Sequence, residues 1–357
     1  LVERVERAAR RAHRHRRGLT RNEQRDDTMF TKLRLPRWMR TLATACVAGA
    51  LIGTGGAASA AYPEKPIKLL IGFPPGGGGD LYGRAIAQEL GKVLGQTLVV
   101  ENRAGAGGNL GAEVVARADG DGYTLMFAPP APLFLNKHLY TKLAYDPDQF
   151  SPISLLVTGP TVLVVNAGLP VNDLRQLIDY AKANPGKLNY ASGGSGNTTH
   201  LAAELFNSLA GVSTVHVPYQ GIAPAITALL AGQTDLMIVD LGAAMPGIRA
   251  GKLRALALGS ERRTELLPGV ATINEALPGF VATGWLAMAA PPKTPVAITT
   301  RLSQAVAEAL RQPDVAKRVR EMNFDSVGST PAELAAFIRQ ENERWGKVIR
   351  ALGVKVE

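Results

Sequence analysis

Two short apolar runs in this chain each lead straight into a glycine-rich turn, and each turn leads into a helical pattern. Ile67–Phe73 is apolar apart from Lys68 and ends in Pro74-Pro75-Gly76-Gly77-Gly78-Gly79-Asp80. Leu81, Ala85, Leu90 and Val93 then recur at helical spacing until Gly95 stops the run. Further along, Leu188–Ala191 leads into Ser192-Gly-Gly-Ser-Gly-Asn-Thr-Thr-His200, and a helix follows over 199–209. A strand that turns directly into a helix cannot pair with its successor as a hairpin, so the next strand returns in parallel. The chain is therefore committed to βαβ units and an α/β class.

The intervening segments extend the pattern. Residues 97–100 and 123–127 read as strands, separated by the glycine-dense turn 105–111 and a helix through Val114 and Val115. Residues 154–165 form a long β-rich stretch that reads as a crossing segment interrupted at Gly159-Pro160. Beyond it, 173–183 is helical, 214–217, 236–239 and 253–258 are strands, and a helix lies near 224–230. Residues 163–282 thus make a second α/β unit, and Phe280–Ala289 returns the chain to the first. The tail is helical. Pro295 opens one helix, and Thr330-Pro331-Ala332-Glu333 is a capping box with proline at the first helical position.

Charge is concentrated at the start. Of 40 Lys and Arg and 30 Asp and Glu in the 357 residues, the first 60 hold 13 and 5, so the remainder is left with a net charge of only +2. A basic patch on the folded body, as nucleic-acid binding requires, is absent. Lys317, Arg318 and Arg320 read as the solvated face of a helix. From Met29 a basic segment precedes an uncharged run over 41–56 and then Ala58-Ser59-Ala60, the layout of a cleaved secretory signal. Residues 1–28 read as an upstream extension from a mis-assigned start, and 29–60 as the signal peptide. Cys46, the single cysteine, lies inside that run, which leaves the body without thiol chemistry.

A glycine turn at a helix start presents bare N–H groups at the positive end of the helix dipole, which is an anion seat. The first loop has Asp80 where a P-loop needs lysine, and Leu81 and Tyr82 where a dinucleotide fingerprint needs a small residue. Glu101 does stand where a ribose-binding acid would, but an export signal fits such a cofactor poorly. The second loop offers short hydroxyl and amide groups, yet Tyr190 and Asn197 occupy positions where a nucleophile elbow around Ser192 or Ser195 needs glycine. His138, His200 and His216 match no metal-ligand spacing; His200 reads as a helix-start hydrogen-bond partner and His216 as a strand-end structural residue. Asp80 reads as the N-cap of its own helix, orienting the loop rather than touching a ligand's charge. No catalytic residue, metal or cofactor is assigned.

Several motifs recur in a familiar order: Tyr62-Pro63-x-Lys65-Pro66-Ile67, Phe73-Pro-Pro-Gly-Gly, Asp80-x-x-Gly83-Arg84, Val100-Glu-Asn-Arg-Ala-Gly-Ala-Gly-Gly108, Asp121-Gly-Tyr-Thr-Leu125, His216-Val-Pro-Tyr219 and Ile248-Arg-Ala-Gly-Lys-Leu-Arg-Ala255. Over essentially the whole mature chain this resembles the Bug family of periplasmic solute-binding receptors, which serve tripartite tricarboxylate transporters. The resemblance implies a two-lobed Venus-flytrap fold, each lobe a mostly parallel sheet flanked by helices, with lobe I from 61–162 and 283–357 and lobe II from 163–282. It implies a monomeric periplasmic receptor that holds a small carboxylic acid in the interdomain cleft and delivers it to membrane permease subunits. Phe73, Gly77, Gly78 and Asp80 would form one half of that site and Ser192, Gly194, Ser195, Asn197 and Thr198 the other. The turn at Ala128 and Pro129 and the strand end at Asp240 would complete its lining. The apolar 128–131 stretch leaves room for an aromatic or longer-chain acid. The competing reading is a secreted α/β hydrolase or isomerase acting on a carboxylic acid.

The signal reading makes one sharp prediction. N-terminal sequencing of protein exported by a native-like host should begin at Ala61 or one residue later, and a mature form that keeps Cys46 overturns it.

Overall fold

The computed structural model describes residues 62–76 and 78–356; the extension and signal segment lie outside them. The chain opens with β1 (Ile67–Ile71), α1 (Gly78–Leu94), β2 (Leu98–Asn102), α2 (Asn109–Ala116) and β3 (Thr124–Ala128). β1 pairs in parallel with both β2 and β3, as βαβ connections dictate. A helical turn over Ala131–Leu135 and the short α3 (Asn136–Leu139) lead to β4 (Ser151–Asn166). The second parallel set follows: α4 (Leu174–Ala183), β5 (Asn189–Ser192), α5 (Thr198–Ala210), β6 (Val215–Pro218), α6 (Ile222–Leu230) and β7 (Leu236–Asp240). Here β5 lies between β6 and β7, parallel to each. The chain finishes with α7 (Leu241–Arg249), β8 (Leu253–Leu258), α8 (Ile273–Ala276), β9 (Thr283–Ala290), α9 (Val296–Arg311), α10 (Pro313–Glu321), β10 (Asp325–Ser326) and α11 (Pro331–Leu352).

The sheets are mixed, because the long strands β4 and β9 add antiparallel pairings to each parallel set. β4 pairs with β9 from Ser151 to Pro160, then with β7 from Thr161 and with β8 from Val162. β9 in turn pairs antiparallel with β3. β4 therefore runs in the same sense as β3 but opposite to β7. The carboxyl ends of β1, β2 and β3 consequently point toward the carboxyl ends of β5, β6 and β7, where ligands bind in open α/β sheets.

The Gly159-Pro160 interruption expected from the sequence does not occur, since β4 runs unbroken through both residues. Pro160 stands where the strand changes partners, so its missing N–H falls at a break between ladders. Gly159 makes room for Phe324, whose ring would lie 2.5 Å from a Cβ there. The helix α7 was not anticipated, because Gly242, Pro246 and Gly247 mask its pattern. The capping box forms as read, with Thr330 and Glu333 bonding each other's backbone and Gly353 closing α11 in the left-handed region.

Three buried clusters hold the elements. Leu69, Ile71, Tyr82, Ile86 and Leu90 pack with Leu302 and Val306 between β1, α1 and α9. Val162 and Val164 of β4 meet Met237 and Val239 of β7 with Leu241 of α7. The largest cluster joins Leu201 and Phe206 of α5 to Trp345 and Ile349 of α11, with Phe134 and Trp285 stacked 6.1 Å apart within it. The first loop rests on a close approach of three glycines: a Cβ on Gly111 would lie 2.9 Å from the Gly72 Cα, and one on Gly72 would lie 3.0 Å from the Gly108 Cα. Neither backbone can yield without moving β1 or α2. Gly111→Ala should therefore cost about 1–3 kcal/mol of stability as overpacking, read from denaturant unfolding; an unchanged midpoint would refute the close packing.

Candidate functional site

The first loop is organised by one buried carboxylate. Asp80 is only 4% exposed. Its Oδ2 accepts from the Gly76 amide at 3.0 Å and from Arg84 Nε at 3.0 Å, and its Oδ1 accepts from Asn102 Nδ2 at 2.9 Å. Asn102 Nδ2 also donates to the Phe73 carbonyl at 3.0 Å, while Arg84 Nη2 donates to Asn102 Oδ1 at 2.8 Å. Arg84 reaches Asp80 because it stands one helical turn on. Burial opposes the charge on Asp80, but the bonds from Arg84, Gly76 and Asn102 outweigh it and hold the carboxyl below its ordinary range. The N-cap role read from the sequence is corrected by one detail: α1 begins at Gly78, so Asp80 is its third residue and reaches back to Gly76. Gly76 has φ +83°, a left-handed conformation that glycine adopts without strain. Phe73 is half-buried with its ring against Gly108. Gly78 is the first residue of α1, and Gly77 lies outside the described residues.

The second loop divides into a concealed scaffold and a presented face. Ser192 is fully buried. Its Oγ lies 2.6 Å from His216 Nε2 and accepts from the Gly194 amide at 3.2 Å. Its hydroxyl is thus committed to His216 and to the Gly194 backbone. Asn197 caps α5, its Oδ1 accepting from the amides of Thr199 at 3.0 Å and His200 at 3.1 Å. Thr199 Oγ1 both donates to that same oxygen and accepts from the Gly193 amide. That leaves Ser195 and Thr198, half-exposed, with side chains that make no hydrogen bond among the described residues, beside the half-exposed Gly194.

The remaining expected residues fall on the line between the sheets. Ala128 is 2% exposed, paired with Ala287 of β9 and packed in one cluster with Leu133 and Phe134. Its side chain is core, and only the half-exposed Pro129 remains at the surface of that turn. Asp240 ends β7 opposite Thr161 of β4 and precedes α7 without capping it. Its carboxylate lies over the bare α-carbon of Gly284, where a Cβ would be 2.1 Å from Oδ1. Burial pushes this carboxyl up to about 6.

Sequence reasoning missed how these loops are braced. Arg84 and Asn102 were noted only as parts of motifs. Behind the second loop, the rings of Tyr190, His216 and His200 stack, with centroids 4.9 Å and 4.0 Å apart. Tyr190 donates to the Glu204 carboxylate. The signal available was register: Tyr190 and Ser192 share a face of β5, and a parallel β6 sets His216 directly beside Tyr190.

Two opposed sets of parallel strands, joined through β4, thus carry a helix-start loop each on their facing ends. Residues 82–354 match the family described as TctC, tripartite tricarboxylate transporter family receptor. The periplasmic binding protein BugD superposes with a TM-score of 0.77 at 32% identity, covering 83% of this chain and 100% of BugD. Rpa4515 of R. palustris, solved with adipate, gives 0.78 at 34% identity over 82% of this chain and 99% of its own. MatC from Rhodopseudomonas palustris, solved with bound malate, gives 0.76 at 35% identity over 81% and 100%. The architecture is the two-lobed periplasmic-binding-protein fold. The chain belongs to the tripartite tricarboxylate transporter receptor family, whose members are solute-binding receptors and not enzymes.

The two acids should respond to pH with opposite signs. Asp80 is held below its ordinary value, so the stability it contributes is present at neutral pH and lost as pH falls through its depressed value. Asp80→Asn also places an amide donor among three donors and should cost about 1–3 kcal/mol at neutral pH. Asp240, raised to about 6, penalises the fold while charged, and that penalty fades as pH falls through that value. Asp240→Asn should therefore stabilise the protein at neutral pH and confer progressively less advantage in acid. Thermal unfolding across this range checks both, and a gain for Asp80→Asn or a loss for Asp240→Asn contradicts the electrostatic assignments.

Proposed function

We propose that this protein is a monomeric periplasmic receptor that captures a small dicarboxylate in the crevice between its lobes and delivers it to the permease subunits of a tripartite transporter. Lobe I comprises 61–162 and 283–357, and lobe II comprises 163–282. The carrying observation is the pairing of two helix-start loops at facing strand ends, neither of which contains lysine or arginine. Neutral donors at a helix N-terminus hold carboxylates through hydrogen bonds and dipole, with orientation set by the loop. Ser195 and Thr198 supply the second-lobe donors, and Gly78, the first residue of α1, supplies an amide from the first. The bound malate of MatC and adipate of Rpa4515 support a four- to six-carbon dicarboxylate.

Calorimetric titration with malate, succinate and adipate tests this reading. At least one should bind and raise thermal stability as mass action requires. Ser195→Ala and Thr198→Ala should each weaken that acid by roughly ten- to a hundredfold, the worth of one hydrogen bond to a charged group, without lowering the apo melting temperature. Unchanged affinity in both variants would move the ligand elsewhere.

A further inference from the structure

The strongest unassigned feature is the pair of imidazoles behind the second loop. His200 is 8% exposed, and its Nδ1 accepts the Gly196 amide at 3.0 Å. Only an unprotonated ring nitrogen can accept that bond, so Nδ1 carries no proton and a neutral ring places its proton on Nε2. His216, stacked 4.0 Å away with the ring planes 11° apart, engages Ser192 Oγ at 2.6 Å. The two rings thus grip the loop near both ends, at Ser192 and at Gly196, and the half-exposed Ser195 lies between those grips. Gly196 has φ +79°, and a Cβ there would meet Leu139 at 2.9 Å and Val356 at 3.0 Å, so apolar side chains wall its other side.

From this geometry we infer that His200 is a positioning residue for ligand capture: its bare Nδ1 holds the Gly196 amide and thereby fixes the loop that presents Ser195 and Thr198. Burial draws both rings down to about 4, and His200 further depresses its neighbour, so the pair is uncharged at neutral pH and the acceptor is always available. Tyr190, stacked on His216 and tied to Glu204 on α5, holds the stack against the same helix that carries His200 in its first turn. The inference rests on the receptor reading for its effect on affinity, but the grip on Gly196 can be measured without a ligand.

Two variants separate positioning from mere filling. His200→Asn sets a non-titrating oxygen where Nδ1 lies, whereas His200→Leu fills the space with no acceptor. In the ligand-free protein, Gly196 amide exchange should quicken about tenfold or more in His200→Leu and stay near wild type in His200→Asn. Affinity for adipate or malate, whichever binds the wild type, should fall about tenfold or more in His200→Leu and recover to within about threefold in His200→Asn. The ring nitrogen spectrum of His200 should show an unprotonated Nδ1 in the wild type. A protonated Nδ1, or Gly196 exchange in His200→Leu equal to wild type, overturns the grip. Faster exchange with undiminished affinity overturns the coupling to capture. If neither acid binds the wild type, the receptor reading fails for these ligands, while the exchange rates still decide the grip.

Discussion

One strand belongs to both sheets, and the rest of the design follows from that sharing. β4 pairs with β9 over its first ten residues and with β7 and β8 over its last six, without leaving the extended conformation. Because β9 sets β3 parallel to β4 while β7 runs antiparallel to it, the two parallel sets present their carboxyl ends to each other. The glycine loops after β1 and β5 therefore face one crevice by topology, before any side chain is considered. Gly159, Gly284 and Pro160 sit at the changeover because bulk or an extra ladder donor there would conflict with Phe324, with Asp240 or with the partner exchange.

The loops on that crevice solve a common problem in the same way. Binding an anion with neutral groups requires that the loop not collapse onto its own donors, since a free amide or hydroxyl would otherwise find an internal acceptor. Each loop is therefore supplied with an internal acceptor for the groups that are not to be presented. Asp80 takes the Gly76 amide in the first, and Asn197, Thr199 and His200 take amides in the second. What remains unpaired is what faces outward. The charge on Asp80 is tolerated because Arg84 and Asn102 complete its shell, whereas Asp240 has no such shell among the described residues and burial makes its proton harder to remove.

The sequence carried the elements well and the contacts between them poorly. The strand–glycine–helix units were legible because apolar period and turn chemistry coincide at 67–80 and 188–200. The role of Asp80 in orienting its loop was legible too, but four successive glycines left the helix start ambiguous by several residues. Ser192 was recognisable as a hydroxyl in a binding loop. Its inward commitment was not, because the partner His216 arrives from β6, 24 residues away, through a parallel register that no local window contains. The burial of the Ala128 side chain was hidden for the same reason, being decided by β9 far along the chain. Long strands that pass glycine and proline, as β4 does, defeat a reading that treats those residues as punctuation.

A neutral seat has a consequence for selectivity. Where lysine or arginine would reward any anion at many distances, hydrogen bonds from fixed amides and hydroxyls reward only oxygens at the right positions. On the proposed receptor reading, two such seats on opposite lobes would measure the separation between two carboxylates, and the rigidity of each loop would set how sharply that length is read. A loop gripped at Ser192 and Gly196 cannot shift its donors to suit a longer or shorter acid, so the adjustment must come from the angle between lobes. On the same reading the buried cluster joining α5 to α11 would limit that angle, because leucine and tryptophan side chains packed at interior density resist shear. Chain length of the ligand would then be read by packing remote from the seats, and substitutions in the α5–α11 cluster should retune which dicarboxylate fits without touching either loop.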